Sequence, residues 1–179
     1  MKKQLKIIFP IVALAFLGWG CGLVSGVFTV DHEFDDFGSS SSATHLDTWG
    51  VASVDLNTNE TYQDHKDKLK GIESVCLSAT VTNRLNQPVS GEAWIAYQAY
   101  SNKADVMANG FRIFKGIALG PYESRHIGCG DIADIFENLD KLEEAVKIGQ
   151  FWVYGFGNEE TYDVTFSHNV LVLAIAAGL

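Results

Sequence analysis

Cysteine and proline are scarce in this sequence of 179 residues, which contains three of each. The cysteines form no C-x-x-C pair, and the five histidines include no pair at metal-ligand spacing. The sequence also lacks a G-x-S-x-G elbow, a Walker phosphate loop, a dinucleotide fingerprint and an H-E-x-x-H helix. These absences exclude the motif-bearing enzyme classes, so we predict a chain without catalytic activity and without a cofactor.

Basic residues are few, with 13 lysines and arginines against 22 acidic residues. Without residues 1–20, which hold three lysines and no acid, ten basic and 22 acidic residues remain, a net charge of −12. Such a chain is repelled by phosphate backbones, which excludes nucleic acid as a partner. Anionic lipid headgroups repel it as well, so we expect membrane contact only through the N-terminus.

The N-terminus combines a basic start with a long uncharged run. Three lysines lie within the first six residues, and no charged residue follows from Ile7 to Val30. This order is typical of an export signal. The 24 uncharged residues could also span a bilayer, which takes about 20 residues in a helix. We assign residues 1–20 to a signal or anchor segment and residues 21–179 to a single domain.

Cys21 follows Gly20 at the end of the apolar run, and this setting resembles a bacterial lipobox. The resemblance implies that Cys21 carries a lipid after processing. Two alternatives remain open, namely conventional cleavage after Gly26, with Val24 and Gly26 as the small residues, and an uncleaved N-terminal anchor. All three routes place the domain outside the cytoplasm. We predict a membrane-anchored protein of the bacterial cell envelope, held by the lipid on Cys21 or by the uncleaved N-terminal segment.

The remaining residues form a pattern of strands. Alternation or dense apolar runs predict strands at 27–34, 49–56, 72–83, 92–100, 111–119, 150–156 and 161–177, the last bent near Ser167. The serine-rich segment 38–43 is predicted to be a flexible loop, and a polar loop is expected before residue 111. The last two strands are apolar on both faces and therefore need cover on both faces. We predict a mainly β fold, an antiparallel immunoglobulin-like β-sandwich.

Two helices are expected within this sandwich. An amphipathic helix is predicted over 132–148, with Asp131 as its N-cap, an apolar stripe, and Gly149 after its end. We expect it to cover part of an outer sheet face. A shorter helix is predicted near 62–70, ended by Gly71.

Two segments carry a family resemblance. "LSATVTNRLNQPVSG" (77–91) and "IALGPYESRHI" (117–127) resemble strand–turn–strand pieces of bacterial immunoglobulin-like adhesion modules of the CARDB type. The resemblance implies an immunoglobulin-like sandwich with a non-catalytic role at the cell surface.

One acidic segment and four aromatic residues are the candidate binding features. Asp31, Glu33 and Asp35 alternate onto one side of a strand and could offer oxygen ligands to calcium. We interpret them instead as a solvated strand end that discourages edge pairing, so no metal is predicted.

The aromatic residues allow two functions. Trp94 and Tyr100 share one side of their strand, and Trp152 and Tyr154 share one side of theirs. They form either a platform for sugar rings or an apolar layer beneath helix 132–148. We therefore predict a non-catalytic, membrane-tethered binding or structural module whose partner is an envelope protein or a polysaccharide. The alternatives are a carbohydrate-binding module and an enzyme whose site has no recognisable motif.

The sequence predicts a disulfide between Cys76 and Cys129. Once Cys21 is lipidated, an even number of cysteines remains in an oxidising compartment. Closing a loop of this length stabilises the fold by about 4 kcal/mol. We expect thiol titration of the unfolded but unreduced protein to detect no free thiol, and reduction to release two. Two thiols before reduction would contradict the bridge.

Overall fold

Antiparallel strands dominate the chain. The computed structural model describes residues 26–42, 45–48, 50–128, 136–158 and 160–177. The strands within these ranges are β1 Gly26–Phe34, β2 Phe37–Ser42, β3 His45–Thr48, β4 Gly50–Asp55, β5 Leu69–Asn83, β6 Val89–Ala96, β7 Phe111–Leu119, β8 Ser124–Ile127, β9 Gln150–Gly157 and β10 Tyr162–Ala177. The helices are α1 Glu60–His65, α2 Lys103–Asn109 and α3 Leu139–Ile148, with short 3-10 helices at Leu56–Thr58 and Lys66–Lys68.

The strands form two sheets. The long sheet has the order β3-β2-β10-β5-β8, with β1 also paired to β10, and the short sheet has the order β4-β9-β6-β7. The strand pairs within both sheets are antiparallel. The predicted mainly β, antiparallel, sandwich-like architecture is therefore confirmed.

The pairing of β5 with β10 extends along most of the long sheet, from Val164 opposite Asn83 to Ala177 opposite Leu69. The other edge of β10 binds β1 over its second half and β2 over its first half. Between these halves the register of β10 with β5 shifts, and His168 has a φ of 55°. Its backbone N–H donates to the Asp36 carboxylate at 2.9 Å. This bulge confirms the predicted bend near Ser167.

Apolar side chains from both sheets fill the space between them. Val54 and Phe151 of the short sheet and Leu173 of the long sheet belong to this core, each at most 1% exposed. The α3 helix adds Leu142, Ala145 and Val146 to the same core. The Tyr62 hydroxyl of α1 donates to the Val146 carbonyl at 2.6 Å, which ties the two helices together.

The main helix is shorter than predicted, because it begins at Leu139 and not at residue 132. Phe136 forms a β-bridge with Phe114 of β7, and the Glu137 N–H donates to the Ile113 carbonyl at 3.0 Å. Asn138 then has a left-handed backbone, with a φ of 52°. These bonds extend the edge of β7 where the apolar stripe suggested helix. The predicted N-cap Asp131 and residues 132–135 lie outside the described residues.

Two other local predictions were wrong, and a third was correct in place but not in extent. The helical segment predicted near 62–70 consists of α1 at Glu60–His65, with Asn59 as its cap, and the 3-10 helix Lys66–Lys68. It ends there because Leu69 already pairs with Ala177 in the long sheet. The serine-rich segment predicted as a loop contains β2, which pairs with β10 from Tyr162 to Phe166. The polar loop before residue 111 contains α2.

A buried asparagine joins two turns at one end of the sandwich. Asn83 is 1% exposed, and its amide donates to the carbonyls of Gln87 at 2.7 Å and Gly120 at 2.8 Å. Its side-chain oxygen accepts from the Leu85 N–H at 3.0 Å. One side chain therefore holds the β5–β6 turn against the β7–β8 turn.

We expect Asn83→Ala to lower the free energy of unfolding by about 2–4 kcal/mol, because it leaves buried backbone groups without partners. Urea denaturation measures the change. The matched control is Asn86→Ala in the same turn, where the side chain is exposed and the expected loss is below about 0.5 kcal/mol. Equal losses in the two variants would contradict the role of Asn83.

Candidate functional site

Three of the four predicted aromatic residues lie on the outer face of the short sheet. Trp94 of β6 is opposite Tyr154 of β9, and Ala96 is opposite Trp152. Because paired residues of adjacent strands point to the same face, both tryptophans and Tyr154 share that face. Tyr100 follows β6 and packs against the same cluster. The four residues therefore lie together as predicted, but the strand predicted over 92–100 was too long, because β6 ends at Ala96 and Tyr100 follows it.

Tyr154 is buried at the centre of this group, with 1% of its surface exposed. Its hydroxyl oxygen accepts from the backbone N–H of Tyr100 at 2.7 Å. Burial raises the pKa of Tyr154, which keeps the hydroxyl protonated at neutral pH. Tyr154 thus fastens the segment after β6 to the sheet and is not available to a ligand.

The helix that covers this face is α2, not the predicted helix 132–148. Val106 of α2 is 1% exposed and packs with Ala96, Tyr154 and Phe156. The α3 helix instead contributes to the core between the sheets. Sequence signals for α2 were present, since Asn102 caps its first turn by accepting from the Asp105 N–H at 2.9 Å and Gly110 follows its end.

Trp94, Tyr100 and Trp152 remain half-buried around this covered centre. The indole nitrogen of Trp94 is buried, and no residue that the structure describes accepts its hydrogen bond. The Tyr100 hydroxyl accepts from the Gln98 amide at 2.9 Å. The face can therefore offer ring edges and a few polar groups, but not a flat platform of four exposed rings.

An ion-pair cluster borders the aromatic face. Arg112 of β7 is opposite Trp94 and pairs with Glu92, at 3.3 Å, and with Glu137. The two carboxylates raise the pKa of Arg112 through hydrogen bonds. Because the guanidinium already has two anionic partners, it serves to hold residue 137 against β7. Sequence reasoning missed this cluster, since its members are distant in sequence.

The acidic candidates Asp31, Glu33 and Asp35 do not come together as a metal site. All three are exposed, and β1 ends at Phe34, before Asp35. Among the described residues, no three His, Cys, Asp or Glu side chains could hold a metal ion together. The carbonyls of Asp31 and Asp35 accept hydrogen bonds from Asn59 and Asn169, which is a structural role.

The predicted cysteine sites cannot be placed. Cys21 and Cys129 lie outside the described residues, and only the backbone of Cys76 is described, opposite Val172 in the long sheet. The predicted disulfide and lipid attachment therefore stay predictions. Within the described part of the chain, no helix is long and apolar enough to cross a membrane.

A small cavity lies between the two sheets. Its volume is about 40 Å³, and its lining includes Val81, Phe114, Leu119 and Val164. For comparison, an apolar cavity of about 150 Å³ accommodates benzene. This cavity is too small for an organic ligand and is better described as a packing defect of the core.

Comparisons with known proteins leave the family open. No protein-family model matches the chain, and no curated protein matches it. A solved chain from Desmodium yellow mottle tymovirus is similar with a TM-score of 0.29 and 10% identity, covering 88% of this chain and 92% of that chain. A chain from turnip yellow mosaic virus has a TM-score of 0.26 and 10% identity, covering 87% and 84%. Likenesses at these TM-scores support no inference about fold or function.

We expect Tyr154→Phe to lower the free energy of unfolding by about 1–2 kcal/mol, because the half-buried Tyr100 N–H loses its acceptor. Thermal or urea unfolding measures the loss. Tyr122→Phe is the matched control, since Tyr122 is 66% exposed and its variant should change stability by less than about 0.5 kcal/mol. If Tyr154→Phe is as stable as the control, Tyr154 does not fasten this loop.

Proposed function

We propose that this chain is a non-catalytic, membrane-tethered module of the bacterial cell envelope with a binding or structural role. The observation that carries the proposal is the uncharged run from Ile7 to Val30, which follows three lysines and contains Cys21 in a lipobox-like setting. The first strand begins at Gly26, so the folded domain starts five residues after the attachment point. A tether this short keeps the domain at the membrane surface.

The relation to immunoglobulin-like adhesion modules is part of the same proposal. The two segments that resemble the CARDB type, 77–91 and 117–127, form the β5–β6 and β7–β8 connections with their flanking strands. Asn83 hydrogen-bonds across both turns. Segments that are distant in sequence therefore build one end of the sandwich together.

The polar groups of the outer face support a binding or structural role over a catalytic one. Arg112 is engaged by Glu92 and Glu137, and the Tyr154 hydroxyl is engaged by the backbone of Tyr100. Groups that are tied up in the fold in this way stabilise it and are poorly placed to exchange protons with a substrate.

A carbohydrate-binding module is the second candidate. Half-buried Trp94, Tyr100 and Trp152 on one face favour it. Electrophoresis in gels that contain cell-wall polysaccharide tests this candidate. The polysaccharide should lower the mobility of the wild-type chain but not that of Trp152→Ala. The control Tyr122→Ala, changed at the distant β7–β8 turn, should migrate as slowly as the wild type. Equal mobility with and without polysaccharide would dismiss this candidate.

The tether is tested by lipid labelling in the native host. We expect the wild-type chain to incorporate labelled palmitate and to have an intact mass that corresponds to residues 21–179 plus lipid. Cys21→Ser should incorporate none, because it removes the thiol that carries the lipid. Cys76→Ser is the matched control and should be labelled like the wild type. A mature chain that starts at Val27, or that retains Met1, would contradict the lipid attachment.

A further inference from the structure

One end of the long sheet brings together residues that are distant in sequence. Gly26 at the start of β1 pairs with Ala177 at the end of β10, which pairs in turn with Leu69 at the start of β5. Since neighbouring strands lie about 4.8 Å apart, Leu69 lies roughly 10 Å from Gly26. We call this row and the adjoining residues 66–70 the near end, because the N-terminal segment enters the domain here.

The near end carries a group of unpaired lysines. Lys66, Lys68 and Lys70 are exposed, and none forms an ion pair with a residue that the structure describes. With Asp67 between them, residues 66–70 have a net charge of +2, and the exposed carboxylates of Asp64 and Glu73 flank them along the chain. Val27, 62% exposed, lies across β10 from Gly71 and adds apolar surface at the same end of the sheet.

The opposite end of β1 has the opposite charge. Glu33, Asp35 and Asp36 are exposed there, roughly 25 Å from Gly26 at the rise of a β-strand. The domain after residue 20 has a net charge of −12, so its surface as a whole is repelled by anionic lipids. The three lysines of residues 66–70 are therefore a local exception, and they lie where the chain enters the domain.

We propose that the near end docks on an anionic membrane surface. This inference rests on the proposed tether, because Cys21 is five residues from Gly26 and an extended segment of that length reaches at most about 17 Å. A segment of this length allows the lysines to reach the headgroups, where the surface potential decays over about 8 Å at physiological salt. Each lysine near such a surface contributes about fivefold to binding.

Docking sets the orientation of the tethered domain. The membrane attracts the lysines and repels the acidic end of β1 at Glu33, Asp35 and Asp36. Both effects orient β1 so that it points away from the membrane. The turns joined by Asn83 contact the far half of β10, through hydrogen bonds from Arg84 and Gln87 to residues 161–163. They are thus presented to the envelope space, where a partner can reach them.

Amine labelling of the tethered chain tests the docking. The full chain, purified from its host with its attachment, is placed in phosphatidylcholine vesicles and in vesicles with one phosphatidylglycerol to two phosphatidylcholine. Acetylation of each lysine is followed by mass spectrometry, with exposed Lys115 of β7 as the internal reference. We expect Lys66, Lys68 and Lys70 to react at least about threefold more slowly in the anionic vesicles, and salt to abolish the difference.

A pair of charge variants makes the test specific. Asp67→Lys and Glu160→Lys change the net charge equally, but residue 67 is at the near end and residue 160 precedes β10. In Asp67→Lys, the near-end lysines should still react slowly in anionic vesicles at a salt concentration that abolishes the effect in the wild type. In Glu160→Lys, the salt dependence should equal that of the wild type.

The outcomes separate the docking from the tether. Flotation of the chain with pure phosphatidylcholine vesicles reports the tether alone. If the chain does not float with them, the proposed function and the docking are both overturned. Flotation with equal labelling rates in both vesicles would overturn only the docking. Protection that appears in detergent and increases with protein concentration would assign the near end to a second copy of the chain and would also overturn the proposal.

Discussion

The ladder between β5 and β10 is the interaction on which the rest of the structure depends. It joins the two longest strands, and β10 binds β1 and β2 along its other edge. Leu171, Leu173 and Ile175 of β10 point into the core, and each is at most 6% exposed. Burial of such side chains stabilises a fold by about 1.5–3 kcal/mol each. The short sheet, α1 and α3 pack on the apolar surface that this pair provides.

The bulge in β10 divides the long sheet into two halves with different roles. At His168 and Asn169, the strand departs from regular pairing, and the Asp35–Asp36 connection between β1 and β2 crosses at the same level. Asn169 is 3% exposed and donates to the Asp35 carbonyl at 3.1 Å, so the irregularity has partners for its polar groups. One half contains the end where the N-terminal segment enters, and the other contains the turns joined by Asn83.

The alternation of apolar and polar residues predicted the strands well, because a strand that is buried on one face has apolar side chains at every second position. The segments 27–34, 111–119 and 150–156 agree with β1, β7 and β9 within a residue. Helix 132–148 was predicted too long because its apolar stripe continues through Phe136, and only tertiary pairing with Phe114 makes that residue extended. Strand β2 was missed because serine has little strand propensity, and its partner in β10 lies more than a hundred residues away.

The candidate site was predictable in position but not in accessibility. Periodicity correctly placed Trp94, Trp152 and Tyr154 on one face, but it could not show that α2 covers that face or that Tyr154 is buried. The near end could not be found from sequence at all. Lys66–Lys70 and Gly26 are brought together only by the register of two strand pairs.

Native-state hydrogen exchange of the tethered chain tests most directly whether the β5–β10 ladder carries the fold. Amides that exchange only through global unfolding identify the most stable part of a protein. We expect the slowest amides to lie in the paired parts of β5 and β10, around Val75 and Leu173, while β3 and β8 exchange through local opening. If the slowest amides lie in the short sheet and those of β10 exchange earlier, the ladder is not the centre of the structure.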